Sequence, residues 1–230
     1  MRRAVQVQLR SRDEPYGATP VLVVPFPRPL RVVSSAPWGG GLGLRRFVLN
    51  AQVPPGYARR DPDAHLAAIA RGLGLGGPGV GMLTAADVEA NQVAGDEGVD
   101  VVATVGLGHP IRAAAPVDPG ARGVPVDPGV RGAPENVTEP ATAGTINIVA
   151  VLPVRLADAA LINAVATATE AKVQALLDLG FDATGTATDA IAIACPATGV
   201  PESFGGPRSV WGGRLARAVH AAVLGSPPMT

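Results

Sequence analysis

The chain has 230 residues, 47% of them hydrophobic and 17% charged, enough to bury one substantial core and too apolar for a disordered tail. Formal net charge is zero and aromatics are 3%, so there is neither a basic footprint for nucleic acid nor a set of stacking platforms for bases. A single cysteine, Cys195, excludes an internal disulfide and a multi-cysteine zinc site.

The start, MRRAVQVQLRSRDEP, has no apolar run of signal-peptide length, and no stretch of 18 apolar residues occurs. A soluble, cytoplasmic protein without membrane or nucleic-acid partners is the expectation. Val5, Val7 and Leu9 alternate with polar residues and predict a half-buried strand through residues 5–10. Residues 21–24, between Pro20 and Pro25, predict a short strand near a sheet edge. Residues 30–35 and 46–53 predict two more, separated by the loop Ala36-Pro37-Trp38-Gly39-Gly40-Gly41. Neighbouring strands without room for crossover helices imply antiparallel pairing.

Asp61-Pro62-Asp63 is a helix start, with Leu66, Ile69, Ala70 and Leu73 as its apolar face and the glycines of 72–79 as its stop. Thr84-Ala85-Ala86-Asp87 has the spacing of a capping box and predicts a short turn of helix. Residues 99–105 form a continuous apolar strand that ends in the loop Gly106-Leu107-Gly108-His109-Pro110. Residues 112–143 break the pattern: Pro116–Val124 repeats almost verbatim as Pro125–Ala133, which reads as a surface insertion, and Asn136-Val137-Thr138 within it fits a sequon without a secretion signal.

Residues 144–194 are the centre of the chain. An apolar strand leads into an amphipathic helix of about six turns, and a second strand is entered through a Thr/Gly run. Projection of the helix puts Ile162, Val165, Ala166, Thr169, Val173, Leu176 and Leu177 on a core stripe, with Glu170 and Lys172 on opposite flanks, about 160° apart. Taken as one strand from 184 to 195, the segment puts Asp189 on the face of Ile191, Ile193 and Cys195, where an acid needs a cation or several donors. Lys172 is an available partner, and a structural ion pair and a catalytic pair look alike at this level. A last helix over 213–224 ends at Gly225. The sum is a single α+β domain, with a mainly antiparallel or mixed β-sheet packed with about three to four helices.

Gly72-Leu-Gly-Leu-Gly-Gly77 fits a dinucleotide fingerprint by letters only, since it follows a helix and opens none. Asp61, Asp63 and His65 are explained as a helix N-terminus rather than metal ligands, and His220 as a solvated side chain. His109 stands in a glycine loop after a buried strand, where sites are often placed, although a plain turn histidine is the favoured reading of its position.

Residues 31–225 resemble the adenosylcobinamide amidohydrolase family. The resemblance is carried by Ser34-Ser35-Ala36 with the following glycines, Phe47-Val-Leu-Asn50, Val80-Gly-Met-Leu-Thr84 and Val105-Gly-Leu-Gly108. It is strongest in Gly144-Thr-Ile-Asn147, Thr167-Ala-Thr-Glu-Ala-Lys172 and Ala183-Thr-Gly-Thr-Ala-Thr-Asp189. It implies hydrolysis of the amide between a corrin propionyl arm and 1-aminopropan-2-ol in cobamide salvage. The corrinoid is then substrate, with no cofactor and no metal. A non-catalytic corrinoid carrier and an amidase for another bulky amide are the alternatives, and a homo-oligomer is left open.

Amide hydrolysis needs an activated water or nucleophile, donors for an oxyanion and a proton for the amine. The catalytic candidates are Glu170 or Asp189 as general base, with Lys172 steadying the developing charge. Thr84, Thr186 and Ser35 are hydroxyls able to attack instead. Backbone N–H groups of residues 39–41, or of a short helix capped by Thr84, are candidates for the oxyanion hole. Asn50, Thr145 and Asn147 suit the amide arms of a corrin, and His109 and Thr188 complete the expected substrate-binding set.

Overall fold

A computed structural model describes residues 5–115 and 144–225. The nine-residue repeats and Asn136 lie outside the described residues. Among the described residues the strands are β1 (Gln8–Glu14), β2 (Gly17–Ser34), β3 (Gly41–Gln52), β4 (Val80–Thr84), β5 (Gln92–Asp96), β6 (Val99–Gly106), β7 (Thr145–Val151) and β8 (Ala190–Cys195). The helices are α1 (Pro62–Gly72), α2 (Asp158–Asp178) and α3 (Val210–Leu224). The strands form one mixed sheet in the order β4-β3-β2-β8-β7-β6-β5, with β1 paired to the first half of β2. This is the α+β architecture with a mixed sheet that the sequence predicts.

The expected short edge strand at 21–24 and the separate strand at 30–35 are corrected to one 18-residue strand, β2, whose residues 21–24 are fully buried. Its prolines mislead because two of them cost nothing. Pro27 and Pro29 fall where β2 has no ladder partner: β1 pairing ends at Val23, β8 pairing begins at Arg31, and the β3 register shifts between Pro25 and Leu30. A missing N–H is harmless there. The first strand is likewise displaced, to Gln8–Glu14. β5 is an element the sequence reading does not contain; it is joined to β6 by Glu97 and Gly98, both at positive φ (41° and 97°), as a two-residue type I′ hairpin requires.

The sheet curls so that its two halves face each other. Leu22, Val24 and Val32 of β2, Val48 of β3 and Met82 of β4 pack against Val102, Val149, Ala192 and Ala194 of β6, β7 and β8. Outside the first half, α1 adds Leu66, Ile69 and Ala70 to Val21, Val23, Phe47 and Leu49. Outside the second half, α2 and α3 cover Val101, Ile148, Ile191 and Ile193.

Helix α1 starts as predicted, with Pro62 in its first turn, although the Asp61 carboxylate pairs with Arg59 instead of capping it. α3 starts three residues before the expected 213, capped by Ser209, whose Oγ accepts from Gly212 N–H at 3.1 Å. The turn of helix expected at 84–87 does not form; Thr84 Oγ1 accepts the Ala86 N–H at 3.0 Å in a local turn instead.

The core stripe expected on α2 holds at Leu176 and in part at Val165 and Val173, and is corrected at Ile162, Ala166, Thr169 and Leu177, which are exposed. The buried residues are Ala160, Leu161, Ala164, Thr167, Ala168, Ala171, Lys172, Ala175 and Leu176, while Ile162 is 67% and Leu177 55% exposed. The reason is proximity. A Cβ at Gly205 would overlap the Ala160 carbonyl, so the backbone of the 201–208 loop lies directly on α2, and only a small-residue face fits there.

Candidate functional site

β7, α2 and β8 form a parallel crossover of the sheet, as β3, α1 and β4 do, and α2 brings its C-terminal turns back over the first residues of β7 and β8. α2 ends in a Schellman arrangement: Gly180, at φ 85°, donates to the Leu177 carbonyl and Phe181 to that of Leu176. The chain then runs through residues 181–189 into β8. This loop carries the Thr/Gly run, and it is stitched to the segment after β6. Ile111 N–H donates to the Gly185 carbonyl and Thr184 N–H to that of Ile111, both at 2.8 Å, and Ala113 N–H donates to Thr184 Oγ1 at 2.8 Å.

Lys172 and Asp189 meet at this end as an ion pair whose side chains are 6% and 12% exposed. β8 begins at Ala190, so Asp189 stands just before the strand, on the α2 side of the sheet. Its carboxylate accepts four hydrogen bonds: Ile146 N–H (2.9 Å) and Thr186 Oγ1–H (2.5 Å) on Oδ1, Thr186 N–H (3.1 Å) and Lys172 Nζ on Oδ2. Those four use the whole acceptor capacity of a carboxylate. Neither charge is left alone in the interior, which is the condition for tolerating the pair. Gly185 completes the cradle, since a Cβ there would overlap both Asp189 Oδ2 and Lys172 Nζ.

On the inner side of the same strand starts, Thr145 Oγ1 and Thr188 Oγ1 lie 2.7 Å apart, the first buried and the second exposed. Deeper between the half-sheets, Asn147 Nδ2 donates to Asn50 Oδ1 (2.8 Å) and to the Leu83 carbonyl (2.9 Å), while its Oδ1 accepts Ala190 N–H (3.1 Å). Asn50 Nδ2 donates in turn to Thr104 Oγ1 at 2.8 Å. Asn50, Thr104 and Asn147 are each 2% exposed and Thr84 is 1% exposed. This network joins β3, β4, β6, β7 and β8 and supports the site from below. Thr104 is absent from the sequence reading, and its signal was a lone hydroxyl in the valine-rich run of β6, on the face of Val102.

Ser35 is exposed; its Oγ accepts Ile191 N–H at 3.2 Å, one residue beyond the start of β8. His109 is also exposed, on the turn whose backbone packs against Gly144. Among the expected oxyanion donors, the short helix at Thr84 is absent, and the Gly39 and Gly40 carbonyls are held by the Arg45 guanidinium at 2.9 and 3.3 Å. Glu170 is exposed on the far flank of α2 and makes no hydrogen bond or ion pair with the Lys172–Asp189 cluster. His220, read as merely solvated, pairs with Asp178 at 2.7 Å between α3 and α2.

A second polar cluster ties β1 to α1. Glu14 Oε1 accepts from Arg12 Nε (2.6 Å) and lies 3.2 Å from His65 Nε2, whose Nδ1 is 2.8 Å from Tyr57 OH. Burial pushes the Glu14 carboxyl up, but the hydrogen bonds and charges of Arg12 and His65 outweigh it and hold it below its ordinary value. Burial pushes the Tyr57 phenol and the Cys195 thiol up. Among the described residues no group of three or more His, Cys, Asp or Glu side chains is placed to hold a metal ion. Two shallow concavities, of about 360 Å³ around Phe204 and Arg208 and about 190 Å³ around Tyr16 and Gln52, lie apart from the Lys172–Asp189 pair.

The family model for adenosylcobinamide amidohydrolase matches residues 6–227. The chain belongs to the adenosylcobinamide amidohydrolase family. An adenosylcobinamide amidohydrolase of Methanosarcina mazei is 33% identical over 156 residues, 67% of this chain and 64% of that protein. One of Halobacterium salinarum is 35% identical over 146 residues, 63% of this chain and 57% of that protein. The chain thus spans less than two thirds of the length of these relatives. Among the described residues no helix is long and apolar enough to cross a membrane.

Proposed function

We propose that this member of the adenosylcobinamide amidohydrolase family hydrolyses the amide that joins a corrin propionyl arm to 1-aminopropan-2-ol in adenosylcobinamide. The products are adenosylcobyric acid and the amino alcohol, and the step returns the corrin to cobamide synthesis. The corrinoid is substrate, and the residues named here need no cofactor to act. The observation that carries this reading is the Lys172–Asp189–Thr186 cluster, an ammonium, a carboxylate and a hydroxyl linked by hydrogen bonds at the start of β8, within a chain matched to the family from residue 6 to 227.

The cluster supplies the parts that amide cleavage requires. Lys172 offers positive charge where negative charge develops on the carbonyl oxygen, in surroundings dry enough to strengthen the attraction. Asp189 handles the proton, and its orientation is fixed by its other donors. Ser35, His109 and Thr188 are the exposed members of the expected binding set at this end of the sheet and face the substrate's amide arms. Asn50, Thr84 and Asn147 hold the strands that carry them. Glu170, on the far flank of α2, is assigned to the outer surface of the site and not to the proton-transfer step.

The test is incubation of purified protein with adenosylcobinamide, following 1-aminopropan-2-ol and adenosylcobyric acid by mass spectrometry. Appearance of both in equal amounts supports the reading; substrate recovered intact refutes it.

A further inference from the structure

We infer that Thr186 is the covalent nucleophile of the hydrolysis, so that the reaction passes through an ester of Thr186 rather than through direct attack by water. The inference rests on the amidase reading above and deepens it.

The argument begins with what Asp189 can deprotonate. All of its acceptor positions are filled, by Ile146 N–H, Thr186 N–H, Thr186 Oγ1–H and the Lys172 ammonium. A water would have to displace one of them before Asp189 could act on it. Two of the four are backbone amides, which do not give up protons in such chemistry, and one is the ammonium paired with the carboxylate. The remaining donor is the Thr186 hydroxyl, 2.5 Å from Oδ1. Nucleophile and base are therefore already in contact, and Lys172 and Ile146 N–H orient the base, which is the arrangement covalent catalysis needs.

No other hydroxyl of the site has this partner. Among the described residues, Thr188 Oγ1 meets Thr145 Oγ1 and the Gly144 carbonyl, Ser35 Oγ accepts the Ile191 N–H, and Thr84 Oγ1 accepts the Ala86 N–H; Thr186 is buried, as Thr84 is, but against the carboxylate. The residues after Thr186 supply the oxyanion donors. Ala187 and Thr188 are exposed, and their backbone N–H groups donate to no acceptor among the described residues. Gly185, immediately before, is the position where a Cβ would drive Lys172 and Asp189 apart.

The steps balance. Thr186 Oγ1 attacks the amide carbon as its proton passes to Asp189; a C–O bond forms and the carbonyl becomes an oxyanion. The C–N bond then breaks, the nitrogen takes the proton held by Asp189, and 1-aminopropan-2-ol leaves as the free amine. Water attacks the ester and gives a proton to Asp189. That proton returns to Thr186 Oγ1 as the corrin acid is released.

The experiment is a single turnover of adenosylcobinamide by the wild-type chain, Thr186→Ala and Thr186→Ser, each confirmed as folded by its urea midpoint. Aminopropanol is timed against acid, and denatured protein is analysed by mass. The expected result is release of the amine before the acid, an acyl adduct on the peptide containing Thr186, loss of about 10³-fold or more in turnover for alanine, and recovery with serine. Should alanine unfold the chain, the serine variant alone must carry the adduct at position 186. A folded alanine variant that still turns over, or a wild-type turnover with amine and acid released together and no adduct, overturns the nucleophile while leaving the amidase reading intact. A wild-type chain that leaves the substrate intact overturns both.

Discussion

Removing either charge of the Lys172–Asp189 pair tests whether the buried cluster holds the strand starts together. Lys172→Met leaves the Asp189 carboxylate, 12% exposed, with its three remaining donors and no cation; Asp189→Asn leaves an ammonium in a pocket 6% exposed. Breaking one side of a buried pair costs about 3–5 kcal/mol. For a chain of this size, with about 2–4 °C of Tm per kcal/mol, each single variant is expected to melt roughly 6–20 °C lower. The double variant has no uncompensated charge, so its loss should fall short of the sum of the singles by at least about 1 kcal/mol. Urea denaturation of the four proteins measures this cycle. Singles that lose less than about 1 kcal/mol, or a double that is strictly additive, would refute the pairing as a source of stability.

Three other outcomes follow from the same geometry. Asn147→Leu leaves Asn50 Oδ1, the Leu83 carbonyl and Ala190 N–H without their partner, and at about 1–3 kcal/mol per buried unsatisfied group should be among the most destabilising single changes, as read by urea midpoint. Ile162→Ser on the outer flank of α2 should stay within about 0.5 kcal/mol of wild type, whereas Ala164→Leu on the buried face should lose about 1–3 kcal/mol; a larger loss for Ile162→Ser than for Ala164→Leu would mean the helix is turned the other way. Glu14→Gln removes a carboxylate whose folded pKa lies below its unfolded value of about 4.3. Its stabilisation is therefore present above the unfolded value and disappears as pH falls through the lowered one, so the stability gap between wild type and variant should close on acidification.

What the sequence made legible was set by local signals. Pro62 and the acids around it mark the start of α1, Gly225 marks the end of α3, and the parity of residues 189–195 puts Asp189 on the α2 face, with Lys172 as an available partner. What was not legible depends on contacts distant in sequence. The long β2 accepts Pro27 and Pro29 only because its neighbours on both sides stop pairing there. On α2 Ile162 and Leu177 face outward while Ala160, Ala164, Ala168, Ala171 and Ala175 line the buried face beside Leu161 and Leu176, because the 201–208 loop backbone lies so close at Ala160 and Ala164 that only small side chains fit there. Asn50 and Asn147 are separated by 97 residues, so the network under the site appears only once the sheet has curled.

The most direct test of the proposed activity is the release of 1-aminopropan-2-ol from adenosylcobinamide by wild type and by Lys172→Met and Asp189→Asn, assayed at a temperature where all three are folded. The account predicts steady release by wild type and a loss of about 100-fold or more in both variants. Release by either variant at the wild-type rate would remove the Lys172–Asp189 pair from the chemistry, and no release by wild type would contradict the proposed reaction itself.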